Sequence, residues 1–467
     1  MNDGQWFLVT SSDPQRPWTG RIWSEGDGRS RWRFEVIRQT DVRDMYESDP
    51  FEAKGHVTGL LDHQRPCTLI HPNVRHIAPG TFGADYHGLR TTLSGGAQAL
   101  LTGIQVPDGD EPLFAGIGFE SDAFAAWFGG QSFSRRDGED YRIRHIEAKD
   151  PHKEQLEFEG VGRIEVERVA SVKDDYRSSA IQTRTIIRLH FSKPRSLHEA
   201  IDHCIGLEAL FGFLAGYRPR PPLFHLWKPK GEGGEDYPNR TGVLEIGGLR
   251  WTDREFPHVV ERLHICGQNG VGLAEVLSAF FPAMGEFVAR IHAIESSRYF
   301  AETVNDKFAR TMPVFDRYLQ QTYTAPDEES FVAQSKAFFD WVKAADDPDI
   351  AAFAHKHIVI TDKKSPSLQT LVRRAIDRMN REGFDFPAGL AKRIVRRRGA
   401  MFHSGEVADK IDVLRFATET RAITALLMFH VLDDLGVAVA PLAEKYHPLR
   451  DFAFFLKKST ANPAEPE

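Results

Sequence analysis

A chain of 467 residues is longer than one ordinary hydrophobic core organises, so two or three domains are expected. At 41% hydrophobic and 27% charged, without low-complexity tracts, its composition is that of a soluble globular protein and excludes a disordered or fibrous one. The net charge of −7 argues against a protein that coats nucleic acid indiscriminately, while leaving room for a local basic site.

Residues 1–195 read as a β-rich domain. Runs such as RWRFEVI, CTLIHP, PLFAGIGF, GRIEVERV and TRTIIRLHF are short and punctuated by Gly, Pro and Asp-Gly. In Arg31–Ile37 the alternation puts Trp32, Phe34 and Val36 on one face. SDAFAAWFGG interrupts the strands as a helix, with Ser121 or Asp122 as cap and Gly129 as terminator. Trp6, Trp18, Trp23, Trp32 and Trp127 fall in this part, where tryptophan is expected as core filler.

Residues 196–271 read as a short α/β connector. SLHEAIDHCIGLEALFGFLAG is a helix opened by a Ser196/Glu199 capping box. The Pro- and Gly-rich segment after it predicts a loop with one edge strand, followed by a strand pair over 243–266. GQNGVG (267–272) lacks the Lys-Ser/Thr of a phosphate-binding loop and reads as a turn into a helix.

From 272 to 458 the period is helical. Val276, Leu277, Phe280, Phe281, Met284, Phe287, Val288, Ile291 and Ile294 form one apolar stripe. Further helices are expected at about 303–321, 328–345, 366–382, 387–398, 409–435 and 442–457, making an all-α bundle. Residues 459–467 read as a disordered tail. The fold class is therefore α+β and multidomain.

The widely spaced Cys67, Cys204 and Cys266 form neither a disulfide framework nor a zinc ribbon, which suits a reducing compartment. No signal segment opens the chain and no apolar run approaches the roughly 20 residues of a membrane span. A cytoplasmic protein without membrane contact is expected, with no metal and no cofactor. His355 and His357 lack the Cys or paired carboxylates that would complete a metal site.

The densest chemistry is in KRIVRRRGAMFHSGE, residues 392–406. Residues 353–400 hold twelve Lys/Arg against four acids, which leaves the rest of the chain at −15. Arg396, Arg397 and Arg398 are consecutive and repel one another without an anionic partner. The run ends at His403, whose unperturbed pKa permits proton transfer in both directions near neutrality. Arginines that hold a phosphate beside such a histidine meet the needs of RNA strand cleavage: deprotonation of the 2′-hydroxyl, stabilisation of the phosphorane and protonation of the leaving 5′-oxygen. Spacing alone is weak, since Arg220 and His225 repeat it inside the Pro-rich loop. On an unbroken α-helix, moreover, positions five apart diverge by about 140°, so the helix must break near Gly399 or the site must combine two bundles.

The string Arg398-Gly399-Ala400-Met401-Phe402-His403-Ser404-Gly405, between two helices of a C-terminal bundle, resembles the R-x(4–6)-H signature of HEPN-domain ribonucleases. The whole chain is similar to ApeA-like anti-phage defence proteins, with Trp18-Thr19-Gly20 suiting their N-terminal domain. The resemblance implies a metal-independent HEPN-type endoribonuclease, cutting tRNA or other cellular RNA in abortive infection. It assigns Arg398 and His403 as catalytic, and Arg396, Arg397, Arg393 and Lys392 as contacts to RNA phosphate. Independently of the resemblance, Glu295 reads either as a carboxylate that orients the pair or as a surface salt bridge, and Ser404 as a supporting group, while Gly399 stands where the family commonly has a polar residue. The resemblance further implies a homodimer through the bundle and a phage-derived trigger. The alternative is a non-catalytic RNA- or partner-binding protein whose β-rich domain is a sensor or ligand receptor.

Overall fold

The structure is a computed structural model that describes residues 5–9, 18–25, 31–40, 56–81, 89–106, 108–129, 133–137, 144–148, 152–174, 179–216, 219, 222–229, 241–247, 263–300, 303–323, 336–338, 340–342, 344, 348, 366–386, 388–404 and 412–440. An antiparallel sheet of 14 strands is followed by a largely helical region. The chain divides into two compact units, Met1–Val288 and Ala289–Glu467.

In the first unit the sheet order is β12-β13-β14-β9-β15-β16-β8-β5-β4-β1-β2-β3-β7-β6. The strands are β1 (Gln5–Val9), β2 (Thr19–Glu25), β3 (Arg31–Thr40), β4 (His56–Leu61), β5 (Arg65–Ile70), β6 (Asn73–Thr81), β7 (Leu89–Ala97), β8 (Ala99–Thr102), β9 (Phe114–Glu120), β12 (His152–Phe158), β13 (Gly162–Asp174), β14 (Ser179–Arg195), β15 (Phe224–Trp227) and β16 (Thr241–Ile246), while β10 (Phe133–Asp137) and β11 (Arg144–Ala148) form a separate two-stranded sheet. As alternation requires, Trp32, Phe34 and Val36 are buried, in a core with Phe7, Ile22, Leu69 and Leu93. Trp18 and Trp127 are buried as well, whereas Trp6 is 58% exposed and lies 6.0 Å from the Arg21 guanidinium.

Two helices belong to this unit's other core. Helix α1 (Asp122–Phe128) is capped by the Ser121 hydroxyl, which accepts from the Phe124 amide at 3.1 Å, and ends at Gly129 with φ 64°. Helix α2 (Leu197–Ala215) carries the expected capping box and stops at left-handed Gly216. Phe124 and Trp127 of α1 pack on Phe211 of α2 at ring separations of 4.5 and 5.4 Å.

Strand β15 differs from expectation. It pairs with β9 on one side and β16 on the other, so it is internal and not an edge. Phe224 and Leu226 point into the core, and that burial outweighs the Pro- and Gly-rich context. Residues 224–246 thus complete the sheet begun by residues 1–195, and the division between units falls at 288/289, inside a helix.

Helices α3 (Leu273–Phe280) and α4 (Met284–Glu295) carry the apolar stripe: Val276, Leu277, Phe280, Phe287, Ile291 and Ile294 are buried, Phe281 and Met284 half-buried. The stretch Gln268–Tyr299 is long and apolar enough to cross a membrane, which corrects the sequence expectation. Its stripe residues are buried, but only 28% of its apolar window lies inside the protein. A π-turn, Ser296–Phe300, follows α4.

In the second unit the bundle comprises α5 (Val304–Tyr323), α6 (Leu368–Arg381), α7 (Leu390–Gly399) and α8 (Asp412–Asp434). Phe308, Met312, Phe315 and Leu319 of α5, Leu371, Val372 and Ile376 of α6, Ile394 of α7, and Ile423, Leu426, Leu427 and Val431 of α8 are buried. The helix expected at 442–457, the tail and His355-Lys356-His357 lie outside the described residues, as does most of 328–345.

Candidate active site at the end of helix α7

Helix α7 starts at left-handed Gly389 and buries Leu390, Ala391 and Ile394. Arg398 is four residues beyond Ile394 and so continues the core-facing stripe. Its guanidinium is half-buried, and Nη2 donates to Asp316 Oδ2 of α5 at 2.8 Å. Asp316 is buried, and its other oxygen accepts from Gln320 Nε2 at 3.0 Å. One side of a planar donor fork is thereby anchored to a braced carboxylate, with its remaining N–H groups open to an anion.

The other basic residues sort by helix face. Arg393 and Arg397, one turn apart, both reach Glu419 of α8, at 3.8 and 3.3 Å. Glu419 is buried, and Arg397 stacks its guanidinium 4.8 Å from the Phe416 ring centroid. Arg397, expected at RNA phosphate, is instead engaged inside the bundle. Arg393 stays exposed despite that pairing, as do Lys392 and Arg396 on the adjoining face.

Immediately after Gly399 the helix changes to a π-turn, Ala400–Ser404. Such a turn absorbs one extra residue, so positions 398 and 403 stand about 40° apart around the axis and not about 140°. The required helix break is therefore a widening, and it returns the Arg and His positions to one side. For His403 and Ser404 the description is confined to the backbone. Phe402 is 48% exposed, with its ring 6.5 Å from Phe308. Gly399 keeps a right-handed backbone, and open space surrounds the position a Cβ would take.

Glu295, expected as a supporting carboxylate, is buried at the end of α4, but the carboxylate that holds Arg398 is Asp316. Sequence reasoning missed Asp316 and Glu419. Both were detectable as acids set into the buried stripes of their own helices, Phe315-Asp316 and Glu419-Thr420.

A second polar cluster lies deeper in the bundle. His430 of α8 is fully buried between Tyr318 and Tyr323 of α5, with ring centroids 5.3 and 6.0 Å away. Arg290 sits 4.7 Å from the Tyr318 ring centroid and donates to Asp434, while Arg378 of α6 pairs with Asp433. Burial first, then the Arg378 and Arg290 charges, push the His430 pKa down to about 3. That imidazole is neutral and inert at neutral pH, unlike a proton-transfer group. Among the described residues no group of three or more His, Cys, Asp or Glu side chains is placed to hold a metal ion.

Comparison with known families locates the first unit. Residues 4–219 match ApeA N-terminal domain 1. This ApeA-type segment runs from β1 through α2 and stops short of β15 and β16, which complete its sheet, and short of the helical region. No curated protein matches the chain.

Proposed function

We propose that the helical region is a metal-independent endoribonuclease of the HEPN class, acting in anti-phage defence. The observation that carries this reading is Arg398. It is fixed by a buried carboxylate at 2.8 Å, left half-exposed, and followed by His403 across a π-turn that aligns the two helix positions. The ApeA-type segment at residues 4–219 supports the defence context.

In this mechanism His403 takes the proton from the ribose 2′-hydroxyl, whose oxygen attacks the adjacent phosphorus. Arg398 stabilises the phosphorane, and the 5′-oxygen departs with a proton, leaving a 2′,3′-cyclic phosphate. Lys392 and Arg396 hold neighbouring phosphates from the exposed face of α7. A homodimer through the bundle would set two such motifs around one cleft, with a phage-derived trigger releasing the activity.

Incubating the full chain with total tRNA in EDTA tests the reading. Cyclic-phosphate ends should form, and Arg398→Ala and His403→Ala should each lower the rate at least about a hundredfold, the usual loss of an anion-stabilising donor. Cleavage that persists in both variants would overturn it. RNA binding without turnover in the wild type would favour a non-catalytic binding role.

A further inference from the structure

The first unit holds a cavity of about 350 Å³ where β3, β7 and β6 meet, within the size range of small-molecule sites. Cross-strand register explains why it is there. Arg33 of β3 pairs with Gly96 of β7, which pairs with Asn73 of β6. These three positions form one row on one face, and the middle one has no side chain. A Cβ on Gly96 would lie 3.6 Å from Arg33 Nη1 and 3.3 Å from the Trp32 carbonyl oxygen. The gap is thus roofed by the Arg33 guanidinium.

Two backbone irregularities frame the same cavity. The β6–β7 register shifts between Val74 and His76, which leaves Arg75 as the extra residue of a bulge. Bulges bend a strand and re-aim the inserted side chain, and they concentrate beside functional sites. His71, on the opposite rim, holds φ at 44°, a conformation that costs a non-glycine residue free energy. Its ring stacks on His198 at 5.2 Å, and His198 Nδ1 lies 3.1 Å from Asp110 Oδ1.

Arg33, Arg75, His71 and Asn73 therefore converge on one opening, and among the described residues no carboxylate lines it. Trp32, Ala97 and Ile246 border it, with the Trp32 ring on the core side of the sheet. Arg75 offers planar donors suited to phosphate oxygens, Arg33 adds positive charge, and a cavity of this size admits a small molecule rather than a strand.

We propose that this cavity is a receptor site for a small phosphate-bearing molecule of mononucleotide size. Arg75 and Asn73 take the phosphate beneath the positive charge of Arg33, and the rest of the cavity takes the body of the molecule. The site is independent of the α7 cluster and stands whether or not that cluster cleaves RNA.

Isothermal titration calorimetry on the full chain tests it, with pyrophosphate, ADP and a short RNA oligonucleotide as probes. ADP should bind and raise the melting temperature. Arg75→Gln, at an exposed position, should weaken ADP at least about tenfold, the usual loss of one charged hydrogen-bonding partner. Gly96→Ala should weaken it without any change of charge, and Arg398→Ala should leave it unchanged. Pyrophosphate binding that is weaker than that of ADP and sensitive to Arg75→Gln would support phosphate recognition with an added contribution from the rest of the cavity. The proposal is overturned if neither ADP nor pyrophosphate binds up to about 1 mM. Binding by RNA alone, or ADP binding lost in Arg398→Ala and retained in Arg75→Gln, would equally overturn it.

Discussion

Arg398 shows how one side chain is made useful by what restrains it. A lone arginine at a helix end samples many rotamers, and holding it costs side-chain entropy that a bound phosphate would otherwise have to supply. Asp316, braced by Gln320, fixes the fork in advance. Asp316→Asn keeps the shape and loses the charge, so RNA cleavage should fall roughly ten- to a hundredfold, with the melting temperature nearly unchanged. Equal losses of activity and stability would instead make Asp316 purely structural. His430 behaves differently, because burial between Tyr318 and Tyr323 of α5, then the charges of Arg378 from α6 and Arg290 from α4, hold it neutral. Its folded pKa of about 3 lies below the unfolded value near 6.5, so the unfolded chain binds the extra proton between them. Its contribution to stability is complete above pH 6.5 and is lost as pH falls toward 3, about 1.4 kcal/mol per unit. Urea unfolding should therefore show about 2 kcal/mol less stability at pH 5 than at pH 7.5, and His430→Phe should flatten that slope.

Among the elements, the π-turn after α7 carries the most consequence, and it is the least legible in sequence. Helix ends could be read where side chains or glycines satisfy orphaned backbone groups, as at Ser121, Gly129 and Ser196, because those devices are local. Neither β15 nor the π-turn has such a device. The strand is decided by β9 and β16, distant in sequence, and the π-turn by hydrogen bonds that shift by one residue. The R-x4-H spacing itself was the remaining clue, since five residues suit a widened turn and four suit an α-turn. Inserting one alanine between Met401 and Phe402 should restore a divergence of about 140° and abolish cleavage. Deleting Ala400 should convert the turn to α-helix, keep the pair about 40° apart and retain activity. The same RNA assay, with circular dichroism to confirm an intact bundle, separates the two. Loss in both variants would mean that axial position matters as much as rotation.

Over the whole molecule, charge decides how RNA could arrive. Residues 353–400 are net +8 in a chain of −7, so attraction must be local and work against an acidic remainder. Composition made that asymmetry plain, but not which arginines face solvent. Glu419, far along the chain, draws Arg393 and Arg397 toward α8, while Lys392 and Arg396 stay exposed and Arg398 is half-exposed. Counterion release counts only cations that meet phosphate. Three such contacts on a single strand predict a slope of log K against log salt of about −2, where the full basic run of five would give about −3.5. Arg396→Ala should reduce the slope by about 0.7. Arg397→Ala should leave it unchanged and instead destabilise the bundle by about 3 kcal/mol, because Glu419 stays buried without its nearer arginine. Fluorescence anisotropy with a labelled RNA between 50 and about 300 mM salt, beside urea unfolding of each variant, reads both quantities. A slope near −3.5 that both alanines reduce equally would place Arg397 on the RNA and turn the Glu419 pairing into a resting contact that RNA displaces.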